Sequence, residues 1–303
     1  MFSTLSNGQG VSNIEASRNQ DQGKDAFVAK RALITGASRG IGKAVALSLA
    51  AQGYDLVISA RTIRPGERRD NGISIHKPDD RPLPGSLEET AALAVELGVR
   101  VEMIPLDLTD RQGVYEAAEK LGAEQDAVDV IIHNGRYLGP GFQDVFMDIP
   151  IDAYEKYFEA HAIAPVILTR ALLPRMLELP TSTLITITSE SAYKASPAPA
   201  GKGGWGHGYA VGKGSGHSLA QILHVEYASQ GLRAFNVDPG LVATERGELV
   251  TAEFGWDMSK FASPSLIGAV VGWIVTSPEA DQYAGQLVEA QKLAKERGMT
   301  VQS

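Results

Sequence analysis

The chain has 303 residues, 44% of them apolar and 21% charged, enough to bury a sizeable core and to exclude wholesale disorder. It has no cysteine, which excludes a disulfide framework, a thiolate metal site and a cysteine nucleophile, and fits a reducing, cytoplasmic setting. A net charge of −8 disfavours nonspecific nucleic-acid binding, and no apolar run reaches the roughly 18–20 residues a bilayer crossing needs, so neither partner is expected.

Residues 1–29 read as a polar, flexible tail without a signal core. From residue 30 short β-rich runs alternate with longer helical ones, the pattern of a parallel sheet covered by helices. Residues 31–35 (RALIT) predict the first strand and residues 41–52 the first helix, ended by Gly53. Residues 54–59, 99–105, 128–132, 182–188 and 232–237 predict strands two to six, and residues 285–289 a seventh. The longer helices are expected over 86–97, 152–179 and 209–229. No repeat or linker divides residues 30–303, which predicts one domain. Two connections exceed ordinary βαβ length: a Pro/Gly-rich stretch at 62–85 and a flexible, glycine-rich insert at 196–208. Both are expected to leave the carboxyl ends of strands, where ligands bind in such sheets.

The first strand runs into Thr35-Gly36-Ala37-Ser38-Arg39-Gly40-Ile41-Gly42, which opens a helix. Glycines let backbone N–H groups approach a pyrophosphate, and a helix N-terminus adds positive potential. A lone glycine pattern is weak evidence; its place at the first strand–helix junction strengthens it. Strand two ends in Ser59-Ala60-Arg61, without the acid that would accept from a ribose 2′-hydroxyl and repel a 2′-phosphate. Arg61 with Arg39 forms a candidate clamp on a 2′-phosphate, favouring NADP(H) with NAD(H) as the alternative. Either arginine alone is more often a solvated surface residue. Asp107, ending strand three beside Leu108, is placed to accept from an adenine amino group or, as an alternative, to cap the next helix.

Tyr209 and Lys213 lie one helical turn apart on one face. A phenol with a reference pKa of about 10 becomes a useful acid–base at neutral pH when an ammonium stabilises its phenolate. With nine tyrosines and twelve lysines, chance alone gives about 0.36 such pairs, so the spacing alone is poor evidence. The pair occurs once, opening the helix after strand five. Ser189 closes that strand and can hydrogen-bond a substrate oxygen; as a turn or cap serine it would need no substrate.

Taken together and in this order, the glycine turn, Asp107, His133-Asn134-Gly135, Ser189, Tyr209/Lys213 and Asp238-Pro239-Gly240 with Thr244 resemble the short-chain dehydrogenase/reductase family over about residues 30–289. The resemblance implies a Rossmann-like α/β fold, a doubly wound parallel sheet of order 3-2-1-4-5-6-7, and hydride transfer between a nicotinamide and a carbonyl or secondary alcohol. It implies Tyr209 as acid–base, Lys213 holding the ribose and lowering the phenol pKa, and Ser189 orienting the substrate oxygen. Nucleotide contacts are implied for Gly36, Ser38, Arg39, Gly40, Ile41, Gly42, Arg61, Asp107, Leu108, Asn134 and Gly135. Pro239 and Gly240, the Val242 backbone and Thr244 would seat the nicotinamide. A homodimer or homotetramer through the two long helices is implied as well.

Three departures stand out. His133-Asn134-Gly135-Arg136 replaces the family's Asn-Asn-Ala-Gly, and the interval from Ser189 to Tyr209 is longer than usual, with Ser196 as a rival serine. His161 occupies the place of the family's catalytic Asn, whose main-chain carbonyl holds a water leading to the lysine. Pro165 lacks the N–H that would bond the carbonyl of residue 161, so that carbonyl stays free for a water, and the imidazole is expected either to add a titrating group or to serve as a core residue. The substrate pocket is expected between residues 194–208 and 245–263, with Phe254, Trp256, Met258, Phe261, Tyr137 and Trp205 as apolar candidates. A lyase or isomerase on the same scaffold and a noncatalytic nucleotide-binding protein are the competing readings; intact Tyr209 and Lys213 argue against the latter.

Overall fold

The computed structural model describes residues 30–247 and 257–300. The expected tail of residues 1–29, and Phe254 and Trp256, lie outside the described residues. Seven parallel strands form one sheet in the order β3-β2-β1-β4-β5-β6-β7. They are β1 (Arg31–Thr35), β2 (Asp55–Ala60), β3 (Val101–Pro105), β4 (Val130–His133), β5 (Ser182–Ile187), β6 (Leu232–Asp238) and β7 (Leu287–Glu289). The order is the expected one, and strand boundaries move by no more than two residues, the usual scatter at element ends.

Every residue of β2 and β5 is buried, which is why both are rich in β-branched and apolar residues without strict alternation: helices cover the two faces of the sheet. Alternation along β1 sends Ala32 and Ile34 to one face and Leu33 to the other. The first face carries α1 (Gly40–Ala51), α2 (Leu87–Glu96), α7 (Pro264–Thr276) and α8 (Ala290–Glu296). The second carries α3 (Arg111–Ala123), α5 (Ala164–Met176) and α6 (His207–Tyr227), with α4 (Ile151–Phe158) leading into α5. Ser86 caps α2 by accepting from the Glu89 N–H at 3.1 Å, and Glu89 three residues on completes the sequence pattern of a capping box. No helix among the described residues is long and apolar enough to cross a membrane.

The single helix expected over 152–179 is broken. Between α4 and α5 the chain forms a π turn over Glu159–Ile163, and the Ala164 N–H bonds the Glu159 carbonyl five residues back. Pro165 is the reason: with no N–H to return to His161, the α-helical ladder loses a rung and the register slips by one residue.

The two inserts meet. Residues 62–85 leave β2 and cross to the loop after β4, where Asp144 accepts from Ser74 and from the Ile75 N–H at 3.1 Å, and the Gln143 N–H bonds the Ile73 carbonyl at 3.1 Å. The insert expected to be flexible at 196–208 is pinned to the same loop, the Gly206 N–H bonding the Phe142 carbonyl at 2.7 Å and the Gly201 N–H reaching Gln143 Oε1 at 2.8 Å. Ile73 from one insert and Trp205 from the other both pack on a cluster of Leu138, Tyr157 and Tyr209.

Helix α1, which carries the glycine turn at its head, is held by close approach of α7. A Cβ at Gly268 would sit 2.6 Å from the Ala44 carbonyl oxygen, and one at Gly272 2.4 Å from Ser48 Oγ. Gly268→Val is therefore expected to force the helices apart and destabilise the fold by about 1–3 kcal/mol, read as a lower urea midpoint at unchanged m-value.

Candidate active site

β1 ends at Thr35 and α1 begins at Gly40, with the glycine turn between them. Gly36 and Gly40 have φ of 69° and 54°, left-handed conformations that favour glycine. A Cβ at Gly36 would lie 2.7 Å from Gly135 Cα, and one at Gly42 only 2.3 Å from the Gly36 carbonyl oxygen, so the turn closes solely without side chains there. Asn134 braces it from β4, its Nδ2 donating to the carbonyls of Thr35 at 2.9 Å and Gly36 at 3.1 Å. Thr35 Oγ1 in turn accepts from the N–H groups of Asn134 at 3.1 Å and Gly135 at 2.9 Å. The head of α1 has no side-chain cap and no acid in its first turn, which leaves its N–H groups and positive dipole end for an anion. This backbone cradle fits a dinucleotide pyrophosphate.

A cleft runs from this turn in both directions and is lined by Gly36, Ser38, Arg39, Gly40, Ile41 and Gly42 at its centre. Arg61, Asp107 and Leu108 line one end, and Asn134, Gly135, Lys213, Pro239 and Thr244 also reach it. At the Arg61 end, Arg39 donates to the carbonyls of Pro84 and Gly85, both at 2.8 Å, which ties the turn to the first insert. Burial lowers the Arg39 pKa, Glu245 opposes this and Arg61 adds to it. Arg61 lies 3.9 Å from Asp107. The capping alternative for Asp107 is overturned: Asp110 caps α3 through the Gly113 N–H, while Asp107 Oδ1 accepts from the Thr109 N–H and hydroxyl at 2.9 and 2.8 Å.

Tyr209 lies in the first turn of α6, 5% exposed, and does not itself line the cleft, which Lys213 reaches one turn on. The edge of Phe142 meets its ring at a centroid distance of 4.8 Å, and the His161 ring stands perpendicular to it at 6.0 Å. One turn on, Lys213 is buried and donates from Nζ to the Ile187 carbonyl at 2.7 Å. Burial pushes its pKa down to about 7; Arg136 acts in the same direction and Asp238 opposes. His161 is buried in the π turn, its Nε2 lying 3.2 Å from the Tyr137 nitrogen and 3.1 Å from the Tyr137 oxygen. Burial first, then the Lys213 charge, lowers its pKa to about 3, which favours the neutral ring and the reading of His161 as a core residue. Its carbonyl lies towards α6, 3.1 Å from where a Gly216 Cβ would be.

Not every expected residue reaches the cleft. His133 points away into the second face, its Nε2 2.8 Å from Thr169 Oγ1 on α5, and burial lowers its pKa to about 4. Ser189 heads a short 3-10 turn and accepts from the Ser191 N–H at 3.3 Å. Its rival Ser196 is committed to its own loop, donating to the Ala198 carbonyl and accepting from the Trp205 N–H. Gly240, at φ 64°, packs against Gln291, and Val242 bridges to Ala262. Three cleft cations escaped the sequence reading of the site: Arg69, Arg136 and Arg246. Arg136 had a signal, a charged residue where the resembling motif has glycine. Arg246 follows Thr244 by two residues, a position with no distinctive sequence signal.

The family model described as Enoyl-(Acyl carrier protein) reductase matches residues 82–289, and the one described as short chain dehydrogenase matches residues 30–75. The chain belongs to the short-chain dehydrogenase/reductase family. Human Dehydrogenase/reductase SDR family member 7 is 32% identical over 52% of this chain and 40% of its own length. Short chain dehydrogenase pigC of Monascus ruber is 29% identical over 71% of this chain and 63% of its own length. The matches thus span less than two thirds of either relative. Among solved structures, L-sorbose reductase from Gluconobacter frateurii complexed with NADPH and L-sorbose superposes with a TM-score of 0.67 at 23% identity, covering 86% of this chain and 94% of that one. A short chain dehydrogenase from Mycobacterium paratuberculosis bound to NAD gives 0.68 at 22% identity, covering 87% and 98%. At these identities the likeness is one of fold.

Two outcomes follow from the buried cation and the buried ring. The unfolded chain keeps a proton on Lys213 up to its ordinary value of 10.5, whereas the folded chain releases it from about 7. Between these values the unfolded state binds more protons, so stability should rise from about pH 7 to about pH 9, and urea titrations should show that slope lost in Lys213→Met. For His161→Asn, the midpoint of the pH–rate profile should stay where it is in wild type, because the ring does not titrate near neutrality.

Proposed function

We propose that the chain is an oxidoreductase that exchanges hydride between NADP(H) and a carbonyl or secondary-alcohol substrate, with Tyr209 as the acid–base. The single observation that carries the reading is the stacking of Tyr209 and Lys213 one turn apart at the head of α6, with Lys213 reaching the cleft that the glycine turn opens. The turn at residues 36–42 and the head of α1 would hold the pyrophosphate, Asp107 the adenine, Lys213 the nicotinamide ribose, and Pro239 with Thr244 the carboxamide end. Arg39 and Arg61, with no acid closing β2, support a 2′-phosphate and hence NADP(H) over NAD(H). A bound nicotinamide supplies or accepts the hydride at the substrate carbon.

In the reducing direction the Tyr209 hydroxyl gives its proton to the carbonyl oxygen as that oxygen gains charge. Ser189 lies at the strand end beside Ile187 and Thr188, which do line the cleft; it accepts from the Ser191 N–H and keeps its O–H, so a small shift of its turn would let it donate to the same oxygen. The phenolate left behind needs a cation within a helical turn, and Lys213 is that group. Its low pKa in the free chain means that a bound anion would favour its charged form. The carbonyls of Ala160 and His161, deprived of their α-helical partners by the π turn and Pro165, support a water-borne path for the returning proton. The aromatic packing around Tyr209 keeps bulk water from the phenol. Exposed Val166 on α5 and Ile222 and Val225 on α6 support association of copies through these helices.

The test is Tyr209→Phe, scored against a carbonyl panel by consumption of NADPH. The variant is expected to lose about 10²–10⁴-fold in kcat and to keep its NADPH affinity, and both it and wild type are expected to bind NADPH more tightly than NADH. Undiminished turnover in the variant, or a wild-type protein that binds no nicotinamide nucleotide, overturns the reading.

A further inference from the structure

Although the chain is acidic overall, the cleft is cationic. Its described lining holds Arg39, Arg61, Arg69, Arg136, Lys213 and Arg246 against a single acid, Asp107. Three of these cations belong to the end away from Tyr209. Arg39 is tied to Pro84 and Gly85, Arg61 faces Asp107, and Arg69 pairs with Glu67 while donating to the Arg61 carbonyl at 2.8 Å. Arg136, Lys213 and Arg246 line the cleft as well; Arg136 acts on the charge of both others, Arg246 also feels Arg61 and Arg39, and neither Arg136 nor Arg246 has a part in the mechanism above.

We propose that Arg136, with Arg246 beside it, binds an oxyanion carried by the substrate, a carboxylate or a phosphate, next to the reacting carbonyl. The proposal rests on the hydride-transfer reading and names the substrate class for the same cleft.

Arg136 is exposed and pairs with no acid among the described residues. It is joined directly to Tyr137, whose backbone contacts the His161 ring, and its charge lowers the pKa of Lys213, of His161 and of Arg246. Arg246 is partly buried and lines the cleft. Its Nη2 donates to the carbonyls of Asn71 and Leu138, both at 2.9 Å, but its Nε is buried without a partner. Burial, then Arg136, Arg61 and Arg39, pull its pKa down to about 10. Two carbonyl dipoles do not neutralise a partly buried guanidinium, and its buried Nε–H without a partner adds to the cost. An anion between the two arginines satisfies both, and the planar fork of a guanidinium suits a carboxylate or phosphate edge. The pyrophosphate already has the head of α1, so the second anion is assigned to the substrate.

The experiment separates binding from turnover. Pyruvate, acetoacetate and levulinate, which set the carboxylate at three distances from the carbonyl, are titrated calorimetrically with their methyl esters into protein saturated with NADP+, a complex that cannot react. At least one keto acid is expected to bind roughly tenfold tighter than its ester, about 1.4 kcal/mol. Arg136→Ala should erase that gap, Arg136→Lys should restore part of it, and NADP+ affinity should move less than about twofold in either. With NADPH the same gap should appear in KM. Acids and esters that bind alike or not at all, or a gap that survives in Arg136→Ala, overturn the proposal. A large loss of NADP+ affinity in Arg136→Ala also overturns it, by assigning the arginine to the cofactor's diphosphate. Failure of the hydride-transfer reading shows separately, as acid-selective binding without Tyr209-dependent turnover.

Discussion

The seam between the ends of β1 and β4 is the constraint on which the rest of the molecule depends. At this point the strand order reverses, successive crossovers leave to opposite faces of the sheet, and a crevice opens that no helix fills. Thr35 Oγ1 and the Asn134 side chain stitch the two strand ends together with hydrogen bonds to one another's backbones. Because the backbones of Gly36, Gly42 and Gly135 then pass within a Cβ's width of their neighbours, the cradle is complete before any ligand arrives. Little ordering entropy remains to be spent on binding an anion there. The close seating of α7 on α1 serves the same end, since it fixes the helix whose first turn supplies the N–H groups.

The reacting end is built on a different principle. Here cations are buried rather than dipoles aligned. Lys213 rests on one carbonyl and Arg246 on two, and each has a depressed pKa because desolvation and like charges act together. Such an arrangement is costly in the free chain and favourable with anions present, so ligand charge and fold stability are coupled. Around it the aromatic cluster has two tasks. Tyr157, wholly buried and donating to the Gly139 carbonyl at 2.9 Å, supports the loop that anchors both inserts, and the same cluster seats Tyr209. Both inserts are therefore tied to the aromatic cluster around Tyr209 through the loop after β4, and the first also lines the cleft with Arg69 and Asn71.

His161 illustrates how a change of side chain is absorbed. A histidine in place of asparagine brings a group that could titrate, yet burial beside Lys213 keeps it neutral, and its ring joins the π turn to the Tyr137 backbone. What the proline alters is the main chain: the loss of one N–H at residue 165 shifts the ladder, and the His161 carbonyl lies towards α6. The ring at this position serves as a brace between the π turn and the loop after β4.

Local rules were enough for much of this chain. β-branched runs bounded by polar turns located the strands, the glycine spacing marked the turn at residues 36–42, and a four-residue interval put Tyr209 and Lys213 on one helix face, because each of these depends only on near neighbours in sequence. The break at residues 159–163 had its cause, Pro165, in plain view, yet a hydrophobic period does not report a one-residue slip in a hydrogen-bond ladder. The remaining features required the folded chain. Arg246 meets Asn71 at a separation of 175 residues and Leu138 at 108, and Asp144 gathers an insert from 70 residues away. Which arginines share a cleft, and which of them lack an acid, is settled by packing between distant segments. Sequence alone determined the sheet, the glycine turn and the placing of Tyr209 and Lys213 on one helix face; only tertiary structure decided the charge of the pocket, since desolvation and Coulomb energy depend on distances in space rather than along the chain.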